Sequence, residues 1–156
     1  MVDAPVPPSA DEAPHMSIPK RVALVALVAF YVLAGVNHFA HEDYYLPMIP
    51  SWLPWPRALV LLSGVAEVAL GVGVAIPRAR RLAAWGLVAL LVAVFPANLH
   101  VALHDLPMMG NEHGLGVWNW VRLPFQLPLI AWAWWFTRPD SLVTGGVADG
   151  APAPSR

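Results

Sequence analysis

The sequence predicts an all-α integral membrane protein: a four-transmembrane-helix bundle with both termini on the cytoplasmic side, N-in and C-in. Three observations carry this expectation. Of 156 residues, 58% are hydrophobic and 12% are charged, against about 25% charged in a soluble domain, so there is too little charge to coat a water-facing surface. The apolar residues fall into four runs that meet the roughly 17–25 residues of helix a bilayer requires. The basic residues collect on alternate connections, as the positive-inside rule demands.

The chain divides into residues 1–19, 20–138 and 139–156. The first stretch, "MVDAPVPPSADEAPHMS", is acidic and Pro-rich. It lacks the basic start and short apolar core of a signal peptide and is expected to be disordered in the cytoplasm. The last stretch ends "VTGGVADGAPAPSR" and reads as a flexible cytoplasmic tail. Between them lies the transmembrane domain.

Its first span is read from Val22 to about His38, and the second from Ala58 to Ile76. The third runs from Leu82 to about Val101, and the fourth from about Trp120 to Phe136. Lys20 and Arg21 precede the first span, "PRARR" (Pro77–Arg81) joins the second to the third, and Arg138 follows the fourth. The opposite side holds Arg57 and Arg122 at helix starts. The first outer connection, "HEDYYLPMIPSWLPWP", is rich in Pro, Tyr and Trp and reads as a lid lying on the bundle, its aromatic rings suited to the half-wet membrane interface. The second, "DLPMMGNEHGLGVWN", has three glycines and reads as mobile.

Composition also excludes chemistry. There are no cysteines, which removes thiol redox catalysis, disulfide relays and thiolate metal sites. Net charge is −1, with no basic patch for nucleic acid. Arg exceeds Lys eight to one, a usage typical of GC-rich bacterial genomes.

Polar residues inside the spans are distributed unevenly. Counting ~1.5 Å per residue from the cytoplasmic arginines puts Tyr31 and Glu67 near the midplane of a ~30 Å core. Gln126 and Ser63 come out higher, and Asn37, His38, Asn98, Arg122 and His100 higher still. Each helix contributes to this outer zone, while the cytoplasmic half is almost all Ala, Val and Leu. Ser63, Glu67 and Gly71 share one stripe at i, i+4, i+8, as Arg122 and Gln126 do at i, i+4. Gly64 and Gly71 let a neighbouring helix approach, and Pro96 and Pro128 interrupt the hydrogen-bond ladders of theirs. Taken singly, the histidines suit the wet interface, Arg122 can snorkel, and Asn37 and Asn98 can serve as packing glue. Glu67 is different. An acid at midplane costs roughly 2.5–3.5 kcal/mol on insertion scales and marks a functional site by default. The expected pocket is therefore Glu67, Ser63, His38, Asn37, Asn98, His100, Arg122 and Gln126, with Arg122 reaching towards Glu67. Glu67 is expected to be protonated or proton-sharing, with Ser63, Tyr31 or Gln126 bonding the neutral acid.

Several short motifs fall in a specific order: "GVNHF" (Gly35–Phe39), "YLPMIPSWLPWP" (Tyr45–Pro56), "SGVAEVALG" (Ser63–Gly71), "PRARRLAAWGL" (Pro77–Leu87), "FPAN" (Phe95–Asn98) and "RLPFQ" (Arg122–Gln126). In these the chain resembles the DoxX-like family of four-helix bacterial membrane proteins. The resemblance implies a four-helix bundle in the bacterial cytoplasmic (inner) membrane. It also implies a link to membrane redox complexes, since the family is named for a subunit of a thiosulfate:quinone oxidoreductase. Fold follows from such a likeness more firmly than function does.

Three functions are open at this stage. A redox or quinone-associated subunit would use His38 or His100 to bond a quinone oxygen, Glu67 to pass a proton, and Arg122 to hold an anionic sulfur substrate or the charge of a partly reduced quinone. An assembly or accessory protein would use the polar cluster to fix packing and the lid to meet a membrane-protein partner. A transporter needs a polar path to the cytoplasmic side, which the apolar inner half does not supply. Haem through His38 and His100, or copper through His104, Met108, Met109 and His113, uses suitable ligand types, but the spacing matches no strict pattern. No metal site is assigned.

Overall fold

The computed structural model describes residues 16–107 and 111–138. The segments read as flexible, 1–15 and 139–156, and the methionine pair Met108 and Met109 lie outside the described residues. The architecture is all-helical, with no strand among the described residues: α1 (Ile18–Ala40), a short α2 (Glu42–Tyr45) followed by a 3-10 turn (Leu46–Met48), α3 (Pro56–Ala75), α4 (Arg80–His104) and α5 (Val117–Trp135). α1, α3 and α4 are long and apolar enough to cross a membrane.

α1 begins earlier than its apolar run. Ile18 and Pro19, placed by the sequence in the disordered leader, form its first turn. A proline is pre-set for a helix start, where its missing N–H costs nothing, and hydropathy does not register such residues. α4 runs through Pro96, and α5 through Pro124 and Pro128. α5 is helical where a fourth span was expected, but its composition of Trp, Pro, Asn, Arg and Gln leaves it short of the apolar measure that the other three satisfy.

Neighbouring long helices run antiparallel, which places both ends of the helical body and the α3–α4 turn together, at what we term the terminal end. The close approach of α1 to α3 depends on glycine. A Cβ on Gly35 would stand 2.6 Å from the Gly64 carbonyl oxygen, and one on Gly64 would stand 2.7 Å from His38 Cβ. Only hydrogen fits such contacts, so the backbones meet directly. Towards the terminal half one buried apolar cluster joins the helices: Leu27 and Tyr31 of α1, Val74 of α3, Ala84, Leu87 and Leu91 of α4, and Ala133 with the following Phe136. Outward, Val22, Val25, Leu33, Leu62, Leu82, Val92 and Leu103 are exposed. So extensive an apolar exterior suits lipid, not water.

The α2 segment and its 3-10 turn fold back over the loop end. Met48 packs with Val101, and Glu42 Oε1 lies 2.8 Å from Arg57 Nε at the start of α3. The α4–α5 connection is tied by Asp105, whose Oδ1 accepts from the Gly116 N–H (2.7 Å) and from Asn119 Nδ2 (2.8 Å).

Candidate functional site

Because the terminal half packs solidly and the loop half does not, a cavity of about 240 Å³ forms beneath the α2 segment. Its walls come from every long helix: Tyr31, Ala34 and His38; Ser63 and Glu67; Leu91 and Asn98; Arg122 and Leu129. Tyr45, Met48 and Ile49 close its loop end.

His38 is the best-determined group in it. Its Nδ1 lies 3.0 Å from the Val60 carbonyl oxygen, an atom that can only accept. Nδ1 therefore carries a hydrogen. Ser63 Oγ, 3.3 Å from the same nitrogen, donates its own proton to Val60 O at 2.9 Å. Nε2 is thereby turned inward, 3.7 Å from Glu67 Oε1. In a neutral ring with hydrogen on Nδ1, Nε2 is an acceptor. At 3.7 Å the two atoms are within ion-pair reach but beyond hydrogen-bond length, so the imidazole and the carboxyl face each other across a short gap. Tyr45 stacks on the His38 ring with centroids 3.8 Å apart, and Asn37 Nδ2 donates to Tyr45 Oη at 2.7 Å, which fixes that stack.

Opposite, Arg122 Nη2 donates to Asn98 Oδ1 (3.2 Å), and Asn98 Nδ2 donates to Gln126 Oε1 (3.2 Å). Gln126 Nε2 in turn donates to the Leu91 carbonyl. Two polar atoms on the cavity residues have no hydrogen-bond partner among the described residues: Tyr31 Oη and Glu67 Oε2. Tyr31 is 3% exposed. Buried polar atoms rarely stay unbonded, so these two stand out in residues that border the cavity.

The expected pocket is thus assembled in part. His38, Ser63, Glu67, Asn98 and Arg122 line the cavity. Asn37 stands behind it, holding Tyr45, and Gln126 supports Asn98 and flanks an adjoining groove between α4 and α5. His100 is a correction. It lies two residues, about 200° of helical turn, beyond Asn98, and its ring faces His104 at 4.2 Å outside the cavity. This separates it from His38 and removes the two-histidine haem arrangement. The expected Arg122–Glu67 pairing is also corrected: both border one cavity, but His38 is the basic group beside Glu67. Copper ligation through Met108 and Met109 falls outside the described residues. Among the described residues no group of three or more His, Cys, Asp or Glu converges on one point.

Tyr31, expected at Glu67's depth as one of three candidate partners of the acid, lines the cavity. Tyr45 also belongs to the site and was not placed there from sequence. Tyr45 arrives from a connection whose path no periodicity encodes.

Fold and site together define a multi-pass helical membrane protein with a cavity, partly lined by polar side chains, in one half of its bundle. The chain belongs to the family described as Domain of unknown function (DUF8561), which matches residues 27–137. No curated protein and no solved structure matches it.

Proposed function

We propose that this is a quinone-associated subunit of a membrane redox system, with the cavity as the seat of a quinone head. The observation that carries the reading is the His38–Glu67 pair, facing a cavity with Nδ1 already committed to Val60 O. Such a pair offers a ring oxygen either a proton or an acceptor. The cavity of about 240 Å³ lies just below the ~300–1,000 Å³ of drug-sized sites, which fits one substituted ring and leaves an apolar tail outside. Arg122 supplies positive charge at the opposite wall. When bound, a quinone supplies the electron chemistry, and the chain's own residues orient the ring and hold a proton at Nε2 or Oε1.

In this reading α5 is the fourth span. Its first half is tied to α4 and the residues just after it through Asn119–Leu106, Arg122–Asn98 and Gln126–Leu91. Both termini face the cytoplasm of a bacterial inner membrane, because Lys20, Arg21, Arg78, Arg80, Arg81 and Arg138 gather at the terminal end. In this reading the chain is DoxX-like, which the order of its short motifs supports. A membrane oxidoreductase is the expected partner.

The test is binding of tritiated decyl-benzoquinone to protein in nanodiscs. Wild type should bind saturably, and Glu67→Leu and His38→Leu should not. Equal binding by all three removes the reading. A second reading, as an accessory or assembly protein, draws on Trp52 and Trp55, which are 71% and 78% exposed at the loop end. Co-purification of one stoichiometric partner that Trp55→Ala abolishes, with quinone binding absent, would favour it.

A further inference from the structure

The cavity's walls are not equally closed. α1 and α3 meet backbone to backbone at Gly35 and Gly64. α4 and α5 are laced by side-chain hydrogen bonds at Leu106, Asn98 and Leu91. The α2 segment covers the loop end and is anchored on three helices: Tyr45 on His38 of α1, Glu42 on Arg57 of α3, and Met48 on Val101 of α4. The extensive close backbone approaches among the long helices are α1 with α3, α3 with α4, and α4 with α5. The remaining seam lies between α1 and α5. Side chains meet across it below the cavity, where the Phe30 and Trp132 rings stand 6.3 Å apart and the Lys20 ammonium lies 5.9 Å from the Phe136 ring centre.

Phe30 sits at this seam with two faces. It lines the cavity and is 43% exposed on the apolar exterior. Leu129, half-buried, lines the cavity from α5. A residue that borders both an interior cavity and the lipid-facing surface marks a mouth. Tyr31 and Glu67 line the same cavity, and their Oη and Oε2 atoms are buried without a hydrogen-bond partner among the described residues.

We propose that the cavity is loaded sideways from the bilayer, through the seam between α1 and α5 past Phe30, by a lipid-soluble molecule with one ring-sized polar head. The head reaches Tyr31, His38 and Glu67, and the apolar tail stays between Phe30 and Leu129 and runs out into the lipid. A water-soluble substrate would have to pass under Tyr45 and Met48, which the contacts to three helices hold in place. This inference rests on the quinone reading for its ligand class and adds to it the route and the position of the tail.

The test uses wild-type protein in nanodiscs and a decyl-benzoquinone carrying a diazirine at the end of its tail. After photolysis, labelled peptides are mapped with and without excess unlabelled decyl-benzoquinone. The expected result is competed label on α1 and α5 around Phe30, Leu129 and Trp132. Competed label on residues 42–55 would overturn the lateral route while leaving the quinone reading intact. Absence of any competed label would overturn both. Ala34 lines the same cavity on α1, one turn from Phe30. Ala34→Trp should abolish the competed label, whereas Ala93→Trp, on the exposed face of α4, should retain it.

Discussion

Nε2 of His38 lies 3.7 Å from Oε1 of Glu67, while Nδ1 of the same ring is held 3.0 Å from the Val60 carbonyl oxygen. The imidazole thus bridges a fixed backbone acceptor and an acid at the middle of α3. This explains why an apolar helix carries a carboxylate: the charge, where it exists, has a partner and a cavity in front of it. With His38 within ion-pair reach, Glu67 need not be an isolated ion in the membrane.

Glu67→Gln should preserve the fold, because an amide of the same shape can face His38 Nε2, but it removes the ionisable carboxyl from the pair. Glu67→Leu should cost more, since Nε2 then faces an apolar wall. A buried polar group left unbonded costs about 1–3 kcal/mol. Infrared difference spectra of wild type against Glu67→Gln report the pair directly through carboxyl and imidazole bands. Spectra that show no band belonging to Glu67 or His38 on ligand addition would disconnect the pair from the cavity's function.

Gly64→Ala should separate α1 from α3. Its Cβ would fall 2.7 Å from His38 Cβ and 2.9 Å from the Gly35 oxygen, and overpacking of this kind costs about 1–3 kcal/mol. The same shift displaces His38 from Val60. Denaturant unfolding in detergent should show the loss of stability, and ligand binding should weaken with it. Unchanged stability would mean that the two backbones are not in contact.

Asp105→Ala should loosen the α4–α5 junction. It removes the acceptor shared by the Gly116 N–H and Asn119 Nδ2, and bonds of this class are worth about 1–3 kcal/mol. Hydrogen exchange at Gly116 should accelerate, while exchange in α1 and α3 stays slow. Equal protection in the variant would assign the junction's order to other contacts.

A reporter fused after Arg138 should be active in the cytoplasm. The terminal end carries Lys20, Arg21, Arg78, Arg80, Arg81 and Arg138, and the loop end carries Arg57 and Arg122. A periplasmic signal would invert the proposed orientation of the cavity.

Helix positions were legible in the sequence because apolar run length is a one-dimensional signal, and the observed helices fall where the runs do, extended at their ends by Ile18, Pro19 and Pro56. The order of the polar residues along each helix axis was legible for the same reason, since rise per residue is fixed. Pairing was not. Whether Glu67 meets His38 or Arg122 depends on how each helix is rotated about its axis, and the glycine contact between α1 and α3 sets that rotation by bringing His38 onto Gly64. His100 was grouped with the pocket on depth alone, although its two-residue offset from Asn98 turns it to another face. Tyr45 needed the course of the α2 segment, which proline and aromatic content announced as a lid without giving its register.

The central claim is that the cavity beside His38 and Glu67 holds a quinone. Lipid extraction of the protein purified from native membranes, followed by chromatographic assay of quinone, tests it most directly. We expect quinone in stoichiometric amount with wild type and its loss from His38→Leu at unchanged protein yield. Wild-type protein that carries no quinone, and takes up none when quinone is added back, would contradict the account.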